Sequence, residues 1–225
     1  MLINEKFVSI EGEGLRAGEL TAFVRFCGCN LRCGYCDTKY SWTENGVKET
    51  VTQICDWVDS TGVVNVTLTG GEPLLQKDIA ELITELCNRN HIVNIETNGS
   101  INPYEAVPDS KLMHSVFFTM DYKCLSSGSN YAMKLENFAD LRETDVVKFV
   151  VGSREDMEDA EKFMQKLCKK VDHIGGLPWI YFSPVFGAIE AKDIVEFMKE
   201  KNLFFKVRVQ LQLHKYIYPP EMRGV

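Results

Sequence analysis

Residues 51–95, VTQICDWVDSTGVVNVTLTGGEPLLQKDIAELITELCNRNHIVNI, decide the fold. Val51, Ile54, Cys55 and Val58 recur at the spacing of one helix face, and Val63 to Leu68 is a short apolar run suited to a buried strand. Ile79, Leu82, Ile83, Leu86 and Cys87 mark a second helix face, and His91 to Ile95 a second extended run. Helices alternating with strands predict a parallel sheet with helices packed over it.

The alternation continues toward the C-terminus. Strands are predicted at Val116 to Met120, Val146 to Val151 and Trp179 to Phe182, with a closing strand from Phe204 to Leu213. Met157, Ala160, Met164, Leu167 and Cys168 mark one further helix face, and Ile194, Phe197 and Met198 another. About six units in so short a chain are too few for a closed eightfold barrel, so the expected class is α/β, an open or partial (βα) barrel. No linker or low-complexity tract divides the chain, and residues 1–225 are read as one domain. Ligands in such folds gather at the C-terminal ends of the strands.

Composition narrows the function classes. With 45% hydrophobic residues the chain can bury a core without staples. Lysine plus arginine number 25 against 32 acidic residues, a net charge of −7 that argues against nucleic-acid or anionic-membrane partners. Met1 to Lys6 carries no basic stretch followed by an apolar core, and no run approaches the roughly 18 apolar residues of a membrane span. A cytoplasmic, reducing location is expected, where clustered cysteines serve as metal ligands or redox groups.

Of eight cysteines, four crowd into Cys27, Cys29, Cys33 and Cys36. Cys29, Cys33 and Cys36 form C-x3-C-x2-C just past a predicted strand, so the cluster loop follows the first barrel strand. Three thiolates there suit three irons of a [4Fe–4S] cluster, with the fourth iron open. A structural zinc site would want a fourth ligand, and the nearest histidine in sequence is His91. A ferredoxin could recruit Cys27, but at a spacing ferredoxins do not use. Cys55, Cys87 and Cys168 read as small apolar fillers of helix faces.

The cysteine triad followed by Gly70-Gly71-Glu72-Pro73 resembles the radical S-adenosylmethionine enzymes, in which the open iron binds the cofactor's methionyl end. Ser9-Ile10-Glu11-Gly12-Glu13-Gly14, the strand ending at Arg25, Cys36-Asp37-Thr38, Glu96-Thr97-Asn98-Gly99 and Gln212-Leu213-His214-Lys215-Tyr216 make the resemblance narrower. Together they look like the 7-carboxy-7-deazaguanine synthase family, over essentially the whole chain. That family rearranges 6-carboxy-5,6,7,8-tetrahydropterin to 7-carboxy-7-deazaguanine with loss of ammonia, on the route to queuosine. An electron donor such as a flavodoxin and a homodimer are implied with it. A glycyl-radical activase and an iron–sulfur electron carrier are the alternatives.

The resemblance implies a role for each motif, with no catalytic side chain beyond the cluster and the cofactor-derived radical. Cys29, Cys33 and Cys36 would hold the cluster and Thr38 a Mg²⁺ ion, for which a hydroxyl is a suitable hard ligand. Gly71 would let the backbone approach the cofactor, Glu72 would accept from its ammonium, and Tyr35, Cys36 and Asp37 would lie by its adenine. Asp121, Tyr122 and Lys123, with Ser183, Pro184, Val185 and Phe186, would line the adenosyl group. Ile10, Glu11, Gly12, Thr69 and Arg25 would bind the pterin, the arginine fork meeting its carboxylate. Read without the resemblance, Arg25 is a surface arginine and Thr38 a loop residue. Glu11 stands where the family more often has glutamine, Asp121-Tyr122-Lys123 replaces Ser-Pro-Lys, and Pro219 to Val225 extends past the histidine motif. Ser126-Ser127-Gly128 is expected as a polar loop over the site.

Overall fold

The computed structural model describes residues 1–225 apart from 44, 108–109 and 172–175. β1, Leu2–Ile10, pairs antiparallel with β2, Leu20–Phe26, and with the short β3, Val47–Lys48. From β2 onward every pairing is parallel, through β4, Asn65–Gly70, β5, Ile92–Thr97, β6, Val116–Tyr122, β7, Val146–Val151, β8, Trp179–Pro184, and β9, Val207–Val209. The order β3-β1-β2-β4-β5-β6-β7-β8-β9 leaves β3 and β9 as edges, so the barrel is open. The expected α/β partial barrel is the architecture found, with an antiparallel ribbon added at its start.

The crossovers are α1, Val51–Thr61, α2, Ile79–Asn88, α3, Leu135–Ala139, α4, Arg154–Lys170, and α5, Ala191–Glu200, with a final short α6, His214–Ile217. Thr50 and Gln53 exchange side-chain and backbone hydrogen bonds at the start of α1, the capping box that fixes where that helix begins. Among the described residues, the connection between β5 and β6 carries 3-10 turns, at Pro103–Ala106 and Ser110–His114.

Successive side chains of a strand point to opposite faces, and here the two faces differ in kind. Val66, Leu68, Val93, Ile95, Phe118, Met120, Val147, Phe149, Ile180 and Phe182 belong to the core cluster under the helices. Phe163 of α4 packs there in tilted or edge contacts with Tyr122, Phe138 and Phe149. The alternate residues Arg25, Thr69, Glu96, Thr119, Asp121 and Lys148 line a cavity inside the barrel.

Two expectations fail on packing. The closing strand is only Val207–Val209, because Asn202 and Lys206 take positive φ and leave Phe204 and Phe205 exposed. Cys168 is exposed near the end of α4, whereas Cys55 is buried and Cys87 packs on the core.

Candidate active site

A cavity of about 460 Å³ lies inside the barrel and is lined by residues from every parallel strand end between β2 and β7 and from the loops that follow. Cys29, Cys33 and Cys36 all line it. Their loop is held by its backbone: Gly28 N–H donates to the Ser41 carbonyl at 2.8 Å and Gly34 N–H to that of Ser127 at 2.9 Å. The Asn98 amide donates to Cys29 Sγ at 3.7 Å and to Asn30 at 2.9 Å. Cys27 is buried away from the cavity, beside the Asn4 amide.

The Gly-Gly-Glu-Pro turn serves this loop in two ways. A Cβ on Gly71 would stand 1.8 Å from the Gly28 carbonyl oxygen, so any other residue would push the turn off the cysteine loop. Glu72 is fully buried and accepts from Leu74 N–H, Thr97 Oγ1 and Asn98 N–H at 2.7–3.0 Å. Glu72 therefore does not reach the cavity as an ammonium acceptor. It staples the Thr97-Asn98 turn, and through Asn98 it positions Cys29.

On one wall of the cavity, Glu5 accepts from Arg25 Nε at 2.7 Å and from the Tyr40 hydroxyl at 2.9 Å. Thr69 Oγ1 donates to Glu96 at 2.7 Å. Glu11 is fully buried and accepts from Thr67 Oγ1 at 2.6 Å and more weakly from the Asn94 amide at 3.3 Å. Burial first, and Glu96 beside it, raise its carboxyl to about 8, so Glu11 is largely protonated at neutral pH. A Cβ on Gly12 would stand 2.4 Å from His214 Nδ1, and it is the missing side chain that lets the histidine ring pack against β1's end.

The opposite wall is a chain of buried charges. Lys123 pairs with Asp121 at 2.9 Å, and Lys148 reaches Glu13 at 2.9 Å and Asp121 at 3.6 Å. Burial opposes the charge of Lys148, but Glu13 and Asp121 outweigh it and hold the amine well above the ordinary lysine value. At the rim Asp37 pairs with Lys215 at 3.1 Å. Pro220 to Val225 also line the cavity, with the Arg223 guanidinium 3.8 Å from the Tyr40 ring centre, so the C-terminal extension reaches the site.

Most residues named from the sequence stand on this one cavity: Ile10, Glu11, Gly12, Arg25, Tyr35, Asp37, Thr38, Thr69, Gly71, Asp121, Lys123, Val185 and Phe186, besides the three cysteines. Tyr122 does not. Strand alternation turns it outward onto Phe138, Phe149 and Phe163, and its hydroxyl meets Asp159 at 3.2 Å. Ser183 and Pro184 are buried below the lining at the end of β8. The Ser126 to Gly128 turn lies behind the cysteine loop instead of over the cavity, with Ser126 bonded to Asp156.

Glu13, Glu96, Lys148 and His214 also line the cavity, although the motifs that contain or flank them imply no role for these four side chains. Lys148 did carry a signal: a lone charge inside the run Val146 to Val151 must find a partner where that strand is buried. The residues present fit a cluster and a nucleoside cofactor. Three thiols share one cavity, yet among the described residues no three His, Cys, Asp or Glu side chains converge closely enough to hold a single ion. A cubane spreads its protein ligands over separate corners. Buried oxygens without partners, the Tyr35 hydroxyl and Asp121 Oδ1, belong to residues of the same cavity.

Comparison with known proteins agrees with this arrangement. Residues 23–115 match the radical SAM superfamily. The chain is 46% identical to 7-carboxy-7-deazaguanine synthase of Clostridium acetobutylicum, covering 98% of this chain and 97% of that protein. It is 39% identical to the enzyme of that name from Methanospirillum hungatei, covering 98% and 86%. The crystal structure of QueE from Escherichia coli shares the fold with a TM-score of 0.70 at 20% identity, over 93% of this chain and 92% of that one. The same fold recurs more distantly in Streptococcus suis SuiB, with a TM-score of 0.56 over 84% of this chain and 48% of that one at 15% identity. With its cysteine triad, inward-facing polar wall and full-length similarity, the chain belongs to the 7-carboxy-7-deazaguanine synthase family of radical SAM enzymes.

Proposed function

We propose that the chain catalyses the ring contraction of 6-carboxy-5,6,7,8-tetrahydropterin to 7-carboxy-7-deazaguanine, with loss of ammonia, in deazapurine biosynthesis. The observation that carries this reading is that the cysteine triad and Arg25, a donor suited to a carboxylate, stand on one cavity of nucleoside-plus-pterin scale. When bound, a [4Fe–4S] cluster with S-adenosylmethionine supplies the one-electron chemistry that begins hydrogen abstraction. Cys29, Cys33 and Cys36 are the residues that would hold the cluster. Tyr35, Asp37, Gly71, Asp121, Lys123, Val185 and Phe186 would receive the cofactor.

The protein's part is to bind and orient. Arg25, braced by Glu5, faces the substrate carboxylate, and Thr69, braced by Glu96, presents an oxygen near it. Glu11, protonated at neutral pH, places a neutral carboxyl where relatives more often have an amide, so it adds no repulsion toward an anionic substrate. Ile10 and Gly12 line the cavity beside it, and the Gly12 carbonyl accepts from Leu213 N–H at 3.2 Å, which ties this edge to the histidine motif. Thr38 lines the cavity and would offer its hydroxyl as a hard oxygen ligand for Mg²⁺. An external donor such as a flavodoxin, a homodimeric state and a cytoplasmic location complete the proposal. No described helix is long and apolar enough to cross a membrane.

Reduced, reconstituted protein incubated with the pterin, S-adenosylmethionine and Mg²⁺ tests the reading by mass spectrometry. Formation of 7-carboxy-7-deazaguanine is expected, and its absence would refute the substrate assignment. An electron carrier would show cluster reduction without 5′-deoxyadenosine. An activase would cleave the cofactor and leave the pterin untouched. Thr38→Ala should lower turnover more than cluster content, and an equal loss of both would remove the case for Mg²⁺ at that hydroxyl.

A further inference from the structure

Lys148 sits at the middle of the cavity's charged wall, on β7, with Asp121 of β6 as its direct cross-strand neighbour. Its ammonium bridges two carboxylates, Glu13 Oε2 at 2.9 Å and Asp121 Oδ2 at 3.6 Å. Each of those carboxylates keeps a second oxygen, Glu13 Oε1 and Asp121 Oδ1, that is buried with no partner. Glu13 is more than nine-tenths buried. A buried carboxylate oxygen without a donor is destabilising, and native interiors seldom leave one. Two of them, on one cavity and on either side of one lysine, are acceptors held for ligand N–H or O–H groups.

The two carboxylates serve different parts of the cavity. Glu13 follows Ile10, Glu11 and Gly12 on the substrate side, and its loop is pinned by Gln210, which accepts from Gly14 N–H at 2.6 Å and donates to the Gly14 carbonyl at 2.9 Å. Asp121 pairs with Lys123 and shares its surroundings with the Tyr35 phenol, on the cysteine-loop side. On the functional reading above, the Glu13 oxygen faces a pterin with ring and amino N–H donors, and the Asp121 oxygen faces a nucleoside with hydroxyl donors. Fixing either carboxylate by a ligand fixes Lys148 Nζ, and the second carboxylate then has less freedom to lose. We propose that Lys148 is a positioning residue that couples the two ligand subsites through Glu13 and Asp121, so that each ligand tightens binding of the other.

Reciprocal binding measures this directly, since coupling between two ligands must be the same from either side. S-adenosylmethionine is titrated into reconstituted protein with the cluster oxidised, so that no turnover occurs, with and without 6-carboxytetrahydropterin. In the unsubstituted chain the pterin should tighten S-adenosylmethionine by at least about fivefold. In Lys148→Met the ratio should fall below about twofold with iron content retained, and Lys148→Arg should restore part of it. The double variant Glu13→Gln/Lys148→Met removes the lysine without leaving Glu13 as an unpaired charge and should behave like Lys148→Met. An unchanged ratio in the variants, or both ligands binding the unsubstituted chain without coupling, overturns the inference alone. Loss of the cluster in both Lys148→Met and the double variant makes Lys148 structural and also overturns it. Failure of the pterin to bind the unsubstituted chain overturns the functional reading, and the inference with it.

Discussion

Strands β6 and β7 have two faces with opposite chemistry. Outward, Phe118, Met120, Tyr122, Val147, Phe149 and Val151 are part of the hydrophobic core. Inward, one residue away in each case, Thr119, Asp121, Lys148 and Val150 line the cavity. The period-2 geometry of a strand thus assigns stability to one set of residues and ligand chemistry to the neighbouring set. A one-residue slip in register would exchange them, burying Asp121 and Lys148 against α4 and emptying the charged wall.

The comparison can be broken at several strengths. The largest effect lies on the cysteine loop that shares the inward face's cavity: Cys33→Ala should abolish the cluster and all turnover, read by iron content and 5′-deoxyadenosine formation, and a retained cluster would remove Cys33 from the ligand set. On the outward face, Phe149→Ala should cost about 3–5 kcal/mol in denaturant unfolding, with S-adenosylmethionine affinity unchanged while the protein stays folded. On the inward face, Arg25→Lys keeps the charge and loses the planar fork. It should lower kcat/KM for the pterin roughly tenfold or more while moving stability by less than about 1 kcal/mol. If Phe149→Ala weakened cofactor binding as much as stability, or Arg25→Lys unfolded the chain, the division between faces would fail.

The smallest expected effect is a pH dependence. The Glu11 carboxyl is raised from 4.5 to about 8, chiefly by burial, so over that interval the folded state binds a proton the unfolded state has released. Stability attributable to Glu11 therefore falls as pH rises from about 5 to 8. Glu11→Gln should abolish that part of the slope and become progressively more stable than the parent toward pH 8, read as the difference in unfolding midpoints across pH. A difference independent of pH would mean that Glu11 is ionised throughout.

Much of this was legible in the sequence because the signals were periodic or tightly spaced. Ile79, Leu82, Ile83 and Leu86 predicted α2, and Val146 to Val151 matches β7 residue for residue. The triad with Gly70-Gly71 placed the cluster loop and the turn that cradles it. What escaped depended on side-chain direction or backbone hand. Tyr122 sits between two cavity residues, Asp121 and Lys123, and only the pleat sends it outward. Glu72 belongs to the right motif, but its carboxylate is spent on Thr97 and Asn98 in another loop. Phe204 and Phe205 suit a strand by composition, yet the left-handed backbone at Asn202 and Lys206 cuts β9 to three residues. The lone charge of Lys148 in an apolar run signals that a partner is needed, but that partner, Glu13, lies 135 positions away and no local pattern names it.

The most direct test of the account is to follow the hydrogen at C6 of the pterin. The proposed reaction begins with transfer of that hydrogen to the cofactor-derived radical, so substrate deuterated at C6 and turned over by reduced, reconstituted protein should give 7-carboxy-7-deazaguanine together with deuterium in 5′-deoxyadenosine or, where the cofactor is re-formed after turnover, in the recovered S-adenosylmethionine. Product formed while both the 5′-deoxyadenosine and the recovered cofactor stay unlabelled would contradict the account, because Arg25 and Thr69 would then be holding the substrate for some chemistry other than abstraction at C6.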